Sequence, residues 1–191
     1  MEDLLAGPHF LRGYAPTRKY EFTGDTMEYK GHTLHRIRRV SDKEIGGWIE
    51  NEFNLSHDGE CWVAGEAKVY GNARISGDAH VYDKAIVFGN AKIYDSAQVQ
   101  DSAWVYNEAE VGEHATVYCQ ARVYDNAHVY GNANVYDYAQ VYENAQVYAD
   151  ARVCGRAEIC DNVRVCGNTQ VIGCAKVIGV IVISGDSIVR Q

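Results

Sequence analysis

The sequence predicts an all-β solenoid in which short strands alternate with tight corners. A six-residue repeat runs from Cys61 through the last residues without an insertion or a deletion. Its first position is Ala in every repeat from Ala67 to Ala157, and its third position is Val or Ile from Val63 to Val189. A fixed short period is the signature of a solenoid. It also leaves no inserted loop within the repeats on which catalytic residues would usually lie.

Each repeat has the composition of a two-sided strand followed by a corner. In lines such as AHVYGN the Ala and the Val are two residues apart, so an extended chain points both to one side. The residue between them and the Tyr point to the other side. The last two positions are mostly Gly, Asp, Asn, Ser or Glu, which favour turns or accept a left-handed backbone. We therefore expect a narrow Ala/Val core with Tyr columns outside it.

The hexads resemble the hexapeptide-repeat left-handed parallel β-helix family, in which three hexads make one triangular coil of about 18 residues. The frequent Tyr after the aliphatic residue is a departure from the common family pattern. Together with the preceding segment KYEFTGDT…GGWIENEFNLS…CWV, it resembles the YdcK-like branch of bacterial, prophage and phage proteins. The resemblance implies the left hand of the helix. Counted from Ala67, the chain makes about seven coils.

The pattern divides the chain into three segments. Residues 1–18 are an irregular extension that contains both prolines, residues 19–60 are a small β-rich cap, and residues 61–191 are the β-helix. A cap is needed because a solenoid exposes its core and its strand edges at its ends. Three large side chains are expected to cover the first coil: Trp48, Phe53 and Trp62.

Charge and hydropathy favour a protein that binds neither nucleic acid nor membrane. The net charge of −8 is spread along the chain, and no basic block supplies the electrostatic attraction that nucleic acid binding requires. No apolar run approaches the roughly 18 residues of a membrane-spanning helix. The N-terminal residues do not form a signal peptide, so the cytoplasm is the expected location.

The six cysteines are expected to be free thiols rather than disulfides or metal ligands. Cys154, Cys160 and Cys166 occupy the same position of consecutive hexads. With three hexads per coil they lie on three different faces, too far apart to share a bond or an ion. We predict no metal and no cofactor.

Stacking every third hexad places an aromatic surface on one face of the coil, called face one. Stacked Tyr rings between rungs are explained by the stability of the sheet alone, at about 0.2–1 kcal/mol per pair. Face one also carries Ile and Trp beside the rings, and Trp, Tyr and Arg dominate binding hot spots. We predict an interface with a protein partner or a second copy at Ile86, Phe88, Trp104, Tyr106, Arg122 and Tyr124.

The last repeats predict a second contact surface. Their outward and corner positions become apolar at Ile178, Val180, Val182 and Ile188, and no covering helix follows in the sequence. An exposed apolar surface of this kind usually meets a partner. We therefore expect a homo-oligomer, an end-to-end dimer or a trimer.

Three functions are compatible with these features, and binding is favoured over catalysis. The leading prediction is a non-enzymatic scaffold or binding module, for which the resemblance implies an accessory, anti-defence role in a phage or prophage. The alternative is a hexapeptide-type acyltransferase that uses an acyl-CoA donor, as the resemblance to the family's enzymes implies. The second alternative is a structural filament or virion component.

Acyl transfer needs a general base within hydrogen-bond reach of the acceptor. His114, at a corner near Glu110 and Glu113, is the best of the solenoid histidines but a weak candidate. In the cap, His32 and His35 suggest a metal pair less strongly than they suggest ordinary surface residues.

Overall fold

The computed structural model describes residues 18–191, so the predicted extension at 1–18 falls almost entirely outside the described residues. Within this range the chain begins with three antiparallel strands, β1 (Tyr20–Tyr29), β2 (His32–Arg39) and β3 (Ile45–Ile49). A single 3₁₀ turn follows at Glu52–Asn54. No helix in residues 18–191 combines the length and the apolar character needed to cross a membrane.

The remaining strands form the three faces of a parallel β-solenoid. Face one contains β5 (Lys68–Val69), β8 (Ile86–Val87), β11 (Trp104–Val105), β14 (Arg122–Val123), β17 (Gln140–Val141), β20 (Glu158–Ile159) and β23 (Lys176–Val177). Face two contains β6 (Arg74–Ile75), β9 (Lys92–Ile93), β12 (Glu110–Val111), β15 (His128–Val129), β18 (Gln146–Val147), β21 (Arg164–Val165) and β24 (Val182–Ile183). Face three contains β4 (Trp62–Val63), β7 (His80–Val81), β10 (Gln98–Val99), β13 (Thr116–Val117), β16 (Asn134–Val135), β19 (Arg152–Val153), β22 (Gln170–Ile172) and β25 (Ile188–Arg190).

Residues 18 apart pair in parallel, which confirms three hexads per turn. Trp104, for example, pairs with Ile86 on one side and with Arg122 on the other. The first- and third-position side chains are buried throughout the regular part, as Ala127 and Val129 are, with no exposed surface. Burial of each Val contributes about 1.5–3 kcal/mol, so this uniform column is the main source of stability.

The solenoid begins one turn before the hexads become visible. β3 pairs in parallel with β5, joining Trp48 to Lys68, and Leu55 forms a parallel bridge to Ile75. Face one therefore starts inside the segment assigned to the cap. With this first turn included, the solenoid has about eight turns, in agreement with the eight strands in the sheet of face three.

Only part of the predicted aromatic trio closes the first turn, since Trp48 is half-buried and packs against the separate cluster of Leu34, Tyr70 and Ile86. Trp62 is 3% exposed and does lie in the core, but Phe53 is 51% exposed, so the expectation that Phe53 covers the coil is wrong. Asn54 takes this role, since its buried side-chain amide donates hydrogen bonds to the carbonyl oxygens of Gly71 and Ala73 at 3.0 and 2.8 Å. An amide can satisfy backbone groups at a strand edge, whereas a phenyl ring cannot.

The corners require a left-handed backbone at one position in each regular hexad, and so at three positions in each turn. Gly occupies this position in some hexads, as at Gly89 (φ +74°), and Asp in others, as at Asp83 and Asp101 (φ +59° and +57°). Asp tolerates this conformation better than most residues because its short polar side chain bonds locally. The carboxylate of Asp101 accepts a hydrogen bond from the backbone N–H of Cys119 in the next coil at 2.9 Å.

Candidate functional site

The predicted aromatic column of face one is a continuous stack of rings. Neighbouring rings are nearly parallel, with interplanar angles of 0–4° and centroid separations of 4.8–5.1 Å. The members are Tyr70, Phe88, Tyr106, Tyr124 and Tyr142. The stack follows from the parallel register, which places the same side of every third hexad one above the other.

Trp104 lies beside this stack and contacts it edge-on. Its ring makes angles of 79° with Phe88 and Tyr106, at centroid distances of 6.1 and 6.5 Å. The guanidinium of Arg122, the next residue in the register, lies 5.5 Å from the Trp104 ring centre. Arg122 itself is exposed, so the aromatic surface has a positive group available to a partner.

The β1–β2 hairpin covers part of the predicted interface from within the same chain. Ile86 is only 7% exposed because it packs in one apolar cluster with Leu34 and Tyr70. Tyr29 and other hairpin residues pack against the same cluster, and its ring meets Tyr70 edge-on at 5.9 Å. The exposed part of face one is therefore smaller than the sequence indicated.

The residues of face one thus fall into two groups. Ile86 lies beneath the hairpin, and Phe88 and Trp104 lie half-buried along its edge. Tyr106 and Tyr124 continue the stack as half-buried rings, with Arg122 exposed beside them. We call these three residues, together with the adjacent Trp104, the face-one surface: Trp104, Tyr106, Arg122 and Tyr124.

The phenols of the stack remain protonated over a wide pH range. Burial is the main cause that raises the pKa of Tyr70 and of Tyr124 to about 12. Burial likewise raises the pKa of Tyr106. A neutral phenol donates a hydrogen bond, as Tyr124 does to the side-chain oxygen of Gln140 at 3.3 Å.

A small polar network fixes the hairpin at the top of the stack. Nδ1 of His32 lies 3.0 Å from Oε1 of Glu50, and Oε2 of Glu50 accepts the backbone N–H of Gly71 at 2.7 Å. Burial alone would raise the pKa of the Glu50 carboxyl, but the two hydrogen bonds outweigh it and the pKa is lowered. The His32 ring also lies 4.7 Å from the ring of Tyr70, which ties the network to the aromatic column.

The ring stacks on the other two faces are shorter than the five-ring stack of face one. On face two the ring of Tyr94 occupies the space above Gly112, where an added Cβ would lie 2.3 Å from the ring. Tyr130 and Tyr148 then stack at 4.9 Å. On face three Tyr118 and Tyr136 stack at the same distance. These columns have the composition expected from sheet stability alone.

The predicted oligomer surface is exposed. Ile178 is 52%, Val180 86%, Val182 62% and Ile188 60% exposed, and these four residues form what we call the apolar belt. Their positions are outward or corner positions, which polar residues and Tyr occupy in most earlier hexads. Single exposed apolar residues are normal on a soluble protein, but four around one turn are a concentration that needs a reason.

Among residues 18–191, the histidines do not group around the predicted candidate. His114 is exposed at its corner. The carboxylate of Glu110 instead approaches Lys92 Nζ at 2.7 Å and His128 Nδ1 at 3.5 Å. Of the two neighbours suggested for His114, Glu110 is thus engaged on the flat of face two.

The cap histidines point away from each other. His32 and His35 are three residues apart in β2, so they lie on opposite sides of the strand. His32 contacts Glu50, whereas His35 lies against the ring of Phe22 at 5.0 Å. Residues 18–191 contain no cluster of three or more His, Cys, Asp or Glu side chains suited to a metal ion.

A comparison with known families agrees with this architecture. The family described as YdcK Beta solenoid repeat matches residues 67–83. Residues 67–83 are thus similar to a YdcK-type β-solenoid repeat. The matched YdcK-type segment includes Lys68 and Tyr70, which begin the two outward columns of face one. No curated protein matches the chain.

The sequence predicted the ring stack but did not predict that the β1–β2 hairpin covers the end of the stack at Tyr70. The hexads alone give the register that brings Phe88, Trp104 and Tyr106 together. The hairpin lies outside the repeat, and its docking is decided by tertiary packing. One local signal was available, the Lys30-Gly31 pair between two alternating segments, which is the length of a tight hairpin turn.

Proposed function

We propose that the protein is a non-enzymatic binding module that recognises a protein partner through the face-one surface. The observation that carries the proposal is the exposed Arg122 beside a rigid stack of rings that includes Tyr106 and Tyr124. Stacked rings lose little conformational freedom on binding, because neighbouring rungs already hold them in place. Aromatic and Arg side chains together are the composition of a binding hot spot.

The polar corners and the uninterrupted hexads support binding over catalysis. A general base needs a reacting atom held within hydrogen-bond distance, and the exposed corner of His114 offers no enclosing wall among the described residues. No observation favours the acyltransferase or the filament alternative. The resemblance to phage and prophage proteins makes a host protein the partner class in this proposal.

The apolar belt supplies the second half of the proposal, which is pairing with another copy. The belt residues face outward rather than along the core, so lateral or end contacts with an identical belt would cover them. A two-fold axis perpendicular to the solenoid at this end would place the apolar belts of two copies against each other in an isologous contact. Such pairing would give two face-one surfaces per assembly and hence bivalent binding.

Photo-crosslinking in the native host tests the partner surface. A photoreactive amino acid replaces Arg122 on face one or, as a matched control, Arg152, which is exposed on face three. We expect a discrete protein adduct from position 122 that is lost when Tyr124→Ala is added. Identical adducts from positions 122 and 152 would contradict the proposal.

Sedimentation velocity over a concentration series tests the belt. We expect the wild-type protein to be oligomeric and Val182→Asp to shift it to monomer, whereas Arg122→Ala leaves the oligomer intact. A wild-type protein that is monomeric at every concentration would remove the belt from the proposal.

A further inference from the structure

The tip of the hairpin places a lysine ammonium among three aromatic rings. Nζ of Lys30 lies 4.4 Å from the ring centre of Trp104, 5.6 Å from that of Tyr29 and 5.8 Å from that of Phe88. The attraction between a cation and the negative face of a ring extends to about 6 Å, but Tyr70 and Tyr106 already stack on the two faces of Phe88, so Trp104 and Tyr29 supply the open faces. We call these three rings the cage. Two of them come from the solenoid and one from the hairpin, so the cage exists only when the hairpin is docked.

The rings are the partners that the described structure provides for this ammonium. No carboxylate of residues 18–191 lies within 4.0 Å of Lys30 Nζ. The other lysine with a left-handed backbone, Lys43, has a carboxylate partner in Glu21 at 3.7 Å. The ammonium of Lys30 is thus in contact with aromatic rings and forms no ion pair with a described carboxylate.

The backbone at the tip gives an independent reason to assign a role to this side chain. Lys30 and Gly31 form the two-residue turn, with φ angles of +51° and +84°. Such turns favour Asn or Gly at the first position, because a longer side chain is strained when φ is positive. The turn geometry therefore does not explain why a lysine occupies position 30. The contact of its ammonium group with the Trp104 ring does explain it.

Two further cations border the cage and limit what it can hold. The guanidinium of Arg122 lies 5.5 Å from the Trp104 ring, and Nζ of Lys68 lies 5.2 Å from the Tyr29 ring. A second ammonium cannot enter beside Lys30 without repulsion from three positive groups. A cationic ligand would have to exchange with Lys30. The exposure of Lys30 leaves a path for that exchange.

We propose that the cage is a binding site for an alkylated ammonium group, either a methylated lysine side chain or a quaternary amine, and that Lys30 occupies it in the unliganded protein. An unmodified ammonium needs hydrogen-bond acceptors, which the cage does not supply. Methyl groups on nitrogen need none and spread the charge over a surface that fits ring faces. The proposal deepens the binding function above, since Trp104 belongs to the face-one surface.

The decisive variant is Lys30→Asn, which removes the ammonium but retains a residue that the turn favours. Tetramethylammonium chloride is titrated into wild type, Lys30→Asn and Lys30→Asn/Trp104→Leu, with sodium chloride at equal ionic strength as the control. The indole N–H resonances of the three tryptophans report the site separately. We expect about tenfold tighter binding to Lys30→Asn than to wild type, centred on Trp104, and no binding to the double variant.

The same titration distinguishes the two sources of the ligand. A trimethyl-lysine peptide and choline are compared, each against its unmethylated amine. A preference for the peptide assigns a protein ligand, and a preference for choline assigns a small amine. Equal affinity of Lys30→Asn for methylated and unmethylated amines, or changes at Trp48 equal to those at Trp104, would overturn the proposal.

A second measurement is made on the wild-type protein and uses Lys30→Asn only to assign one resonance. Reductive methylation of the wild-type protein with ¹³C-formaldehyde converts each lysine to its dimethyl form. The Lys30 methyl resonance, assigned by its loss in Lys30→Asn, should be shifted upfield by the rings. A Lys30 resonance among those of solvent-exposed lysines would mean that the cage is not formed. Since photo-crosslinking at position 122 does not require the cage, failure of this proposal and failure of the binding function are separable.

Discussion

Ala149 lies directly over Gly131 in one corner of the solenoid, and both residues adopt the left-handed conformation. Their φ angles are +58° and +73°, and a Cβ added to Gly131 would lie 2.6 Å from the backbone nitrogen of Ala149. A glycine can adopt this conformation without strain, but an alanine cannot, and it lacks the polar side chain by which Asp or Asn compensates. Ala149 is therefore a point of local strain in an otherwise consistent repeat.

Ala149→Gly should stabilise the protein by about 1 kcal/mol, because relief of the left-handed strain exceeds the added freedom of the unfolded chain. Urea unfolding measures the change. Ala151→Gly is the matched control, since Ala151 is an inward residue with no exposed surface. It should destabilise by about 1 kcal/mol. Loss of stability in both variants would contradict the strain at position 149.

Val129→Asp should prevent folding, because it places a carboxylate in the solenoid core without a partner. Far-UV circular dichroism and solubility are the measurements. Asn126→Asp adds the same charge at an exposed corner of the same coil and should leave the fold intact. A soluble, folded Val129→Asp protein would refute the assignment of inward and outward positions.

Trp104→Leu should destabilise the protein, contrary to what an outward-pointing residue on a repeat would suggest. The reason is the contact with Lys30, which contributes about 0.5–2 kcal/mol. A double-mutant cycle with Lys30→Asn, measured by urea unfolding, should give a coupling energy in this range. Additive effects of the two substitutions would mean that the hairpin tip does not bind Trp104.

Stability should fall as the pH rises from about 10 to 12. The unfolded chain loses its tyrosine protons near pH 10, whereas folded Tyr70 and Tyr124 keep theirs to about 12, mainly because they are buried. Their contribution is complete below pH 10 and is lost as the pH rises through the folded pKa. Urea midpoints measured at intervals of pH give the slope. Tyr124→Phe should reduce it, and an unchanged slope in that variant would contradict the prediction.

The hexads predict the solenoid well because the inward Ala and Val and the residues of the corners recur with the same six-residue period. They do not predict the first turn, because the distance in sequence between its inward residues departs from six. The inward residues Ile49 and Leu55 are six apart, but Leu55 and Val63 are eight apart. Two added residues in this connection break the period, although the strand pairing continues across the break.

The aromatic site was predicted only in part, for a related reason. Residues 18 apart in the repeat determine one another's neighbours, so Phe88 and Tyr106 follow from the sequence alone. The cover over Ile86 comes from Leu34, which lies outside the repeat and packs by shape. The repeat period does not predict where a segment outside the repeat will pack. An outward apolar residue therefore suggests a contact surface, but the sequence does not show whether another chain or the same chain covers it.

The hairpin also changes how the first coils unfold under a pulling force. In an ordinary solenoid each turn touches only the next, so turns can detach one at a time. Here one hairpin contacts Tyr70, Ile86 and Trp104, which belong to three successive rungs. A pulling experiment should therefore record the first turns as a single long extension step, in place of a ladder of equal short ones.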